Sequence, residues 1–165
     1  IDSKLYGWVF RNILPGSTIL ELGSGYGTID LDKRYKMISV ENDPEWMNLT
    51  DKSKYIYAPL KGEWYDRSVL EKSLPGLTYD VILVDGPWIG EGNRTGFVEN
   101  LDLFNTDVTM IFDDTHRVDE LAMCKAVSEK LGVPYQTFPG IKKRFSIIQN
   151  KKKLDEASDS NANVL

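Results

Sequence analysis

Two apolar stretches of this 165-residue chain end in carboxylates. Asp85 follows residues 79–84, and Asp113 and Asp114 follow residues 108–112. Stretches of that length and composition read as buried strands of a parallel sheet. Neighbouring strand axes lie about 4.8 Å apart, so their ends bring side chains together. Three carboxylates so placed repel one another unless a cation or a proton neutralises them, and hard oxygen ligands of this kind suit Mg2+. Asp113 or Asp114 could instead cap a helix starting near Thr115. His116 is the only histidine. Just after the pair, it can act as general base for a hydroxyl, since its ordinary pKa is near neutrality, or it can face solvent at a helix start. Arg94, Arg117 and the Lys142-Lys143-Arg144 run offer cations to an anionic substrate group. Arg94 sits in a loop with glycines at 86, 90, 92 and 96 that could close as a lid. A run such as 142–144 more often marks a solvated strand end.

A second constellation lies upstream. The run Ile19-Leu20-Glu21-Leu22 stops at Gly23-Ser24-Gly25-Tyr26-Gly27. Glycines at the carboxyl end of a buried strand let the backbone turn sharply and approach a ligand closely. The next apolar run, 37–40, ends in Glu41, where the second strand of a nucleotide-binding βαβ unit offers a carboxylate to ribose hydroxyls. The dinucleotide fingerprint requires G-x-G-x-x-G, and Thr28 stands where its third glycine belongs. Glu-x-Gly-x-Gly-x-Gly instead resembles the first motif of the class I S-adenosylmethionine-dependent methyltransferases. The resemblance implies a cofactor site of Glu21, Gly23, Ser24, Gly25, Gly27 and Glu41, with Asn42 beside it. A strand-end aspartate and a later Asp-Asp pair also resemble the metal-dependent O-methyltransferases of the catechol, caffeoyl-CoA and macrolide-sugar groups. That resemblance implies that Asp85, Asp113 and Asp114 hold Mg2+ against two substrate oxygens. Asp85-Gly86-Pro87-Trp88 is also similar to the Asp-Pro-Pro-Trp motif of amino-group methyltransferases, which grips a nitrogen with a side-chain and a backbone oxygen; here Gly86 replaces the first proline.

The elements that must carry these residues follow from pattern. Apolar spacing over 4–14 suits an amphipathic helix ended by Pro15-Gly16. Residues 28–36 leave room for a short crossover helix. Asp43 before Pro44 is a helix start. A third strand fits 55–58, and Ala58, Pro59 and Leu60 beyond it would border the adenine in a methyltransferase. Helices fit 69–74, 97–104 and 118–131, the last stopped by Gly132. Residues 135–138 and 144–148 suit a closing antiparallel pair. The expectation is an α/β, Rossmann-like, doubly wound and mostly parallel sheet with a C-terminal antiparallel hairpin. One domain over 1–150 and a polar, disordered tail over 151–165 complete it.

A net charge of -5 argues against a dedicated nucleic-acid binder. The single cysteine, Cys124, allows no disulfide framework or cysteine-rich zinc site and reads as a buried thiol. No apolar run is long enough to span a membrane, and the cytoplasm is the default location. Together these readings lead to methyl transfer from S-adenosylmethionine to a hydroxyl, assisted by Mg2+. Asp85 and His116 would be the catalytic groups, and Trp88, Arg94 and Arg117 would face the substrate. With almost no insertion to form a cap, the substrate is a small polar molecule or a glycan hydroxyl, or a second subunit of a homodimer supplies the cover. The rival readings are an amino-group methyltransferase, a NAD-dependent oxidoreductase disfavoured by the glycine spacing, and a non-catalytic cofactor-binding partner subunit.

Overall fold

The computed structural model describes residues 1–88 and 90–149, so the tail expected over 151–165 lies outside the described residues. β1 (Thr18–Leu22) is an interior strand of a seven-stranded sheet. It pairs in parallel with β2 (Lys36–Glu41) on one side and with β6 (Val81–Val84) on the other. β3 (Lys54–Tyr57) continues outward from β2, and β7 (Thr109–Phe112) from β6. The sheet then closes with β9 (Arg144–Ile148), antiparallel to β7, and β8 (Tyr135–Pro139) beyond it. The order is β3-β2-β1-β6-β7-β9-β8, so the winding direction reverses at β1. Ligands of open α/β sheets bind outside the carboxyl ends of the strands at such a switch point. The doubly wound sheet with its C-terminal hairpin is the architecture expected from the sequence.

Alternation sorts the strand residues onto two faces. Leu20, Leu22, Ile38, Val40, Ile82, Val84, Met110 and Phe112 share one core with α3 (Arg67–Ser73), α4 (Gly96–Glu99) and α5 (Val118–Leu131). Ile19, Met37, Val81, Leu83 and Ile111 share the other with α1 (Ser3–Asn12) and α2 (Tyr26–Leu31). α5 ends as expected at Gly132, left-handed with φ 63°. Cys124 is buried on α5, and burial pushes its thiol up to about 12.

Three expectations change. Asp43 does cap a turn, its Oδ1 accepting from Glu45 N at 2.9 Å, but only one 3-10 turn follows (Pro44–Trp46). The Trp46 carbonyl, which a helix would offer to a later N–H, accepts from Ser24 Oγ at 2.6 Å instead. The helix expected over 97–104 splits into α4 and a 3-10 turn, Leu101–Leu103. Asn100 Nδ2 donates to the Gly96 carbonyl at 2.9 Å, so a side chain competes with the backbone ladder there. The crossover helix is α2, which begins inside the glycine turn rather than after it. A small hairpin, β4 (Leu60–Lys61) with β5 (Trp64–Tyr65), had no clear signal in the sequence.

Candidate functional site

A cavity of about 690 Å³ opens at the switch point. Its walls come from the glycine turn after β1, the segments after β2 and β6, and Tyr6 of α1. Gly23 makes the turn with φ 87°, a left-handed conformation that suits glycine. A Cβ on Gly23 would lie 2.6 Å from the Gly86 Cα, and one on Gly86 would lie 2.5 Å from the Gly23 Cα. The ends of β1 and β6 therefore interlock backbone to backbone. Gly25 lines the cavity, and a Cβ there would meet nothing within 4 Å. That open space is the cradle a bound ligand needs.

Glu21 holds the turn from beneath. It is 1% exposed, and its Oε2 accepts from Thr28 Oγ1 at 2.7 Å and Ser39 Oγ at 2.9 Å. Thr28 Oγ1 in turn accepts from Gly25 N at 2.9 Å. Burial pushes the Glu21 carboxyl up to about 8, against the pull of those two hydroxyls. Between the usual value of 4.5 and about 8 the folded chain keeps a proton that the unfolded chain has released. Stability therefore falls as pH rises through that window, at up to about 1.4 kcal/mol per pH unit. Glu21→Gln keeps the neutral shape and removes this dependence. Urea unfolding across the window should show its advantage over the parent growing with pH; parallel curves would refute the assignment.

Glu41 holds the turn from the side. Its Oε2 accepts from Ser24 N at 2.7 Å, and its Oε1 from Asn42 N at 2.7 Å and Asp43 N at 2.8 Å. The carboxylate is 5% exposed and still lines the cavity. Asn42 reaches across the mouth, where its Nδ2 donates to Glu91 Oε2 at 2.9 Å. Tyr26 and Trp46 add an aromatic wall, their rings edge to face at 5.4 Å. Neither these two rings nor Glu91 stands out in the sequence. Ala58 is fully buried, and residues 58–60 are not part of the cavity wall.

The three aspartates do converge: one oxygen from each lies within 4.8 Å of the others. Asp85 faces the cavity, whereas Asp113 and Asp114 lie behind it, buried. Burial and the nearby Asp113 push the Asp85 carboxyl up to about 6, while Arg94 pulls the other way. Arg94 lines the cavity and is 5% exposed. It bridges Asp85 Oδ1 at 3.2 Å and Asp114 Oδ2 at 3.3 Å, and its Nε donates to the Pro87 carbonyl at 3.4 Å. Lys143 Nζ lies 2.7 Å from Asp113 Oδ2 and 3.0 Å from Asp114 Oδ1. Arg117 Nη1 lies 3.1 Å from Asp114 Oδ2. Lysine and arginine already hold Asp113 Oδ2, both oxygens of Asp114 and Asp85 Oδ1, so the residues as arranged do not fit Mg2+.

Helix capping does not explain the aspartate pair either, since the N-cap of α5 is Arg117. His116 is exposed and lies outside the cavity wall, as does Arg117. Trp88, 67% exposed, stands at the rim. The sequence leaves Lys143, in its run of three cations, either at the same edge for an anionic substrate group or at a solvated strand end; the structure turns it to the aspartates instead. Its place becomes visible only once β9 is laid beside β7. Beneath Gly86 the buried Tyr65 hydroxyl, with no hydrogen-bond partner among the described residues, completes the packing.

No protein-family model matches this chain, and no curated protein matches it by sequence. Solved structures do share its fold. A methyltransferase from Pyrococcus furiosus is 21% identical over 88% of this chain and 80% of its own, with a TM-score of 0.59. An S-adenosylhomocysteine-bound methyltransferase from Podospora anserina is 17% identical over 92% of this chain and 80% of its own, with a TM-score of 0.53. MycE of the mycinamycin biosynthetic pathway, in complex with Mg and S-adenosylhomocysteine, is 13% identical over 89% of this chain and 48% of its own, with a TM-score of 0.61. Strand order, the reversal at β1 and these neighbours agree: the chain has the fold of the class I S-adenosylmethionine-dependent methyltransferases.

Proposed function

We propose that the chain is an S-adenosylmethionine-dependent methyltransferase that modifies a hydroxyl of a small polar or sugar substrate. The observation that carries this reading is the glycine turn, fixed by Glu21 and Glu41, opening into a cavity that Asp85, beside the turn at the end of β6, also lines. The open space over Gly25 and the carboxylate of Glu41 on the same wall fit the cofactor. When bound, it supplies an electrophilic methyl on a sulfonium. The chain's part is to orient an acceptor oxygen and take its proton. Orientation supplies much of the rate in such a displacement. Asp85 is ionised at neutral pH, with its carboxyl at about 6, and Arg94 fixes the direction of its Oδ1. It therefore accepts the hydroxyl proton as the new bond forms. Trp88 at the rim offers a flat apolar face to a substrate ring.

Transfer to an amino group is less well supported. A proline at position 86 would need the space that Gly23 fills, and Arg94 already engages the Pro87 carbonyl. Assistance by Mg2+ would require Lys143 to leave the aspartates.

Calorimetric titration with S-adenosylhomocysteine, with NAD as control, tests the reading. Binding is expected, and Glu41→Ala should weaken it by about 10- to 100-fold, as loss of hydrogen bonds to a charged group implies. Binding of NAD without S-adenosylhomocysteine would overturn the assignment.

A further inference from the structure

We infer that Lys143 is the built-in counter-ion of the Asp85, Asp113 and Asp114 cluster, and that the cluster is a closed ion-pair network that takes no divalent cation. Its oxygens are nearly all committed. Asp113 gives Oδ2 to Lys143 Nζ at 2.7 Å, and its Oδ1 accepts from Asp114 N at 2.8 Å. Asp114 gives Oδ1 to Lys143 at 3.0 Å, and Oδ2 to Arg94 at 3.3 Å and Arg117 at 3.1 Å. Asp85 gives Oδ1 to Arg94 at 3.2 Å. Three carboxylates thus face the side-chain cations of Lys143, Arg94 and Arg117. Arg117 is shared with the buried Glu120, whose Oε1 lies 3.5 Å from its Nη1, so four carboxylates meet three side-chain cations, and a divalent ion entering this set would turn it net positive.

Mg2+ also demands oxygens at about 2.0–2.1 Å in near-octahedral array, a space that the ammonium of Lys143 fills. Expelling it would leave that charge without the Asp113 carboxylate, which is 1% exposed. The arrangement is built rather than incidental. Asp114 holds φ 61°, a conformation that costs a non-glycine residue, and in it both its oxygens meet cations. Lys143 is aimed by its turn: Gly140 N donates to the Lys143 carbonyl at 2.7 Å, and Ile141 N donates to Asp2 Oδ2 at 2.9 Å. Lys143 is therefore a positioning residue, fixing the two aspartates that stand behind Asp85. The inference stands whether or not the cavity takes a methyl donor.

The test is titration of the whole chain with Mn2+, read by the paramagnetic resonance signal of the free ion, without cofactor or substrate. The parent should leave millimolar Mn2+ free. Lys143→Ala should gain binding by about tenfold or more, Asp113→Asn in that background should remove the gain, and Lys143→Arg should restore the inert parent behaviour. Lys143→Gln, which keeps the reach without the charge, replaces the alanine variant if circular dichroism shows that variant unfolded. Sub-millimolar binding by the parent that Asp113→Asn abolishes would overturn the inference. So would a folded neutral variant that binds no better than the parent.

Discussion

Asp85→Asn should lower turnover by about 10²–10⁴-fold, the range that removal of a general base produces, and leave S-adenosylhomocysteine affinity unchanged. The substitution keeps an oxygen that can accept from Arg94, so the geometry of the wall survives while the ability to take a proton does not. The parent's pH dependence supplies the second signature. With the Asp85 carboxyl raised to about 6 by burial and by Asp113, kcat/KM should climb as pH rises to that value and level off above it. In the variant the residual rate should lack this limb. Initial rates of labelled-methyl transfer to a hydroxyl acceptor, followed beside calorimetry, check both. Full turnover in the Asp85→Asn variant would remove Asp85 from the chemistry. Equal loss of turnover and of cofactor binding would make it a structural residue.

Gly23→Ala should be the most damaging single methyl that the turn can receive. Its φ of 87° is left-handed, and the added carbon would lie 2.6 Å from the Gly86 Cα. Left-handed backbone costs an L-residue about 1–2 kcal/mol, and overpacking typically adds about 1–3 kcal/mol. The sum is a large fraction of a total that is commonly about 5–15 kcal/mol. At about 2–4 °C per kcal/mol for a chain of this size, the melting temperature should fall by on the order of 10 °C. Gly25→Ala is the counterpart. Its backbone is extended, and its Cβ would meet nothing within 4 Å, so stability should hold. Because that Cβ would occupy part of the cradle, cofactor affinity should drop instead. Thermal melts of both variants and a titration of the second separate the two roles; equal melting losses would refute the distinction.

Local pattern carried the sheet. β2, β6 and β7 announced themselves as apolar runs closed by an acid, and Gly132 marked the end of α5 where the structure has it, while α1 ends at Asn12, ahead of Pro15-Gly16. Glu21, Glu41 and Asp85 come together on the cavity wall for the same reason: strand ends meet at one edge of such a sheet. What escaped was anything decided by contacts distant in sequence. Arg94 reads as a loop cation until β6 and β7 bring Asp85 and Asp114 around it. Lys143 reads as one of three cations offered to a substrate anion or to solvent until the final hairpin brings it to Asp113. The segment after β2 has an acceptable helix start, yet only one 3-10 turn forms there, its Trp46 carbonyl accepting from Ser24 on another loop. His116 had the right chemistry and the right neighbours in sequence, and the backbone turns it outward.

The two outermost strands have a consequence for how copies of this chain can meet. An open sheet ends in rows of unpaired backbone groups, which template aggregation and strand exchange unless they are blunted. β3 has four residues and begins with the exposed Lys54, and β8 ends in Pro139, which has no N–H to offer. Brevity with a lysine at one edge, and a proline at the other, are devices that discourage edge-to-edge pairing. Self-association by shared strands is therefore disfavoured, and a dimer of this chain would have to be built from side chains on its helical faces or around the mouth of the cavity.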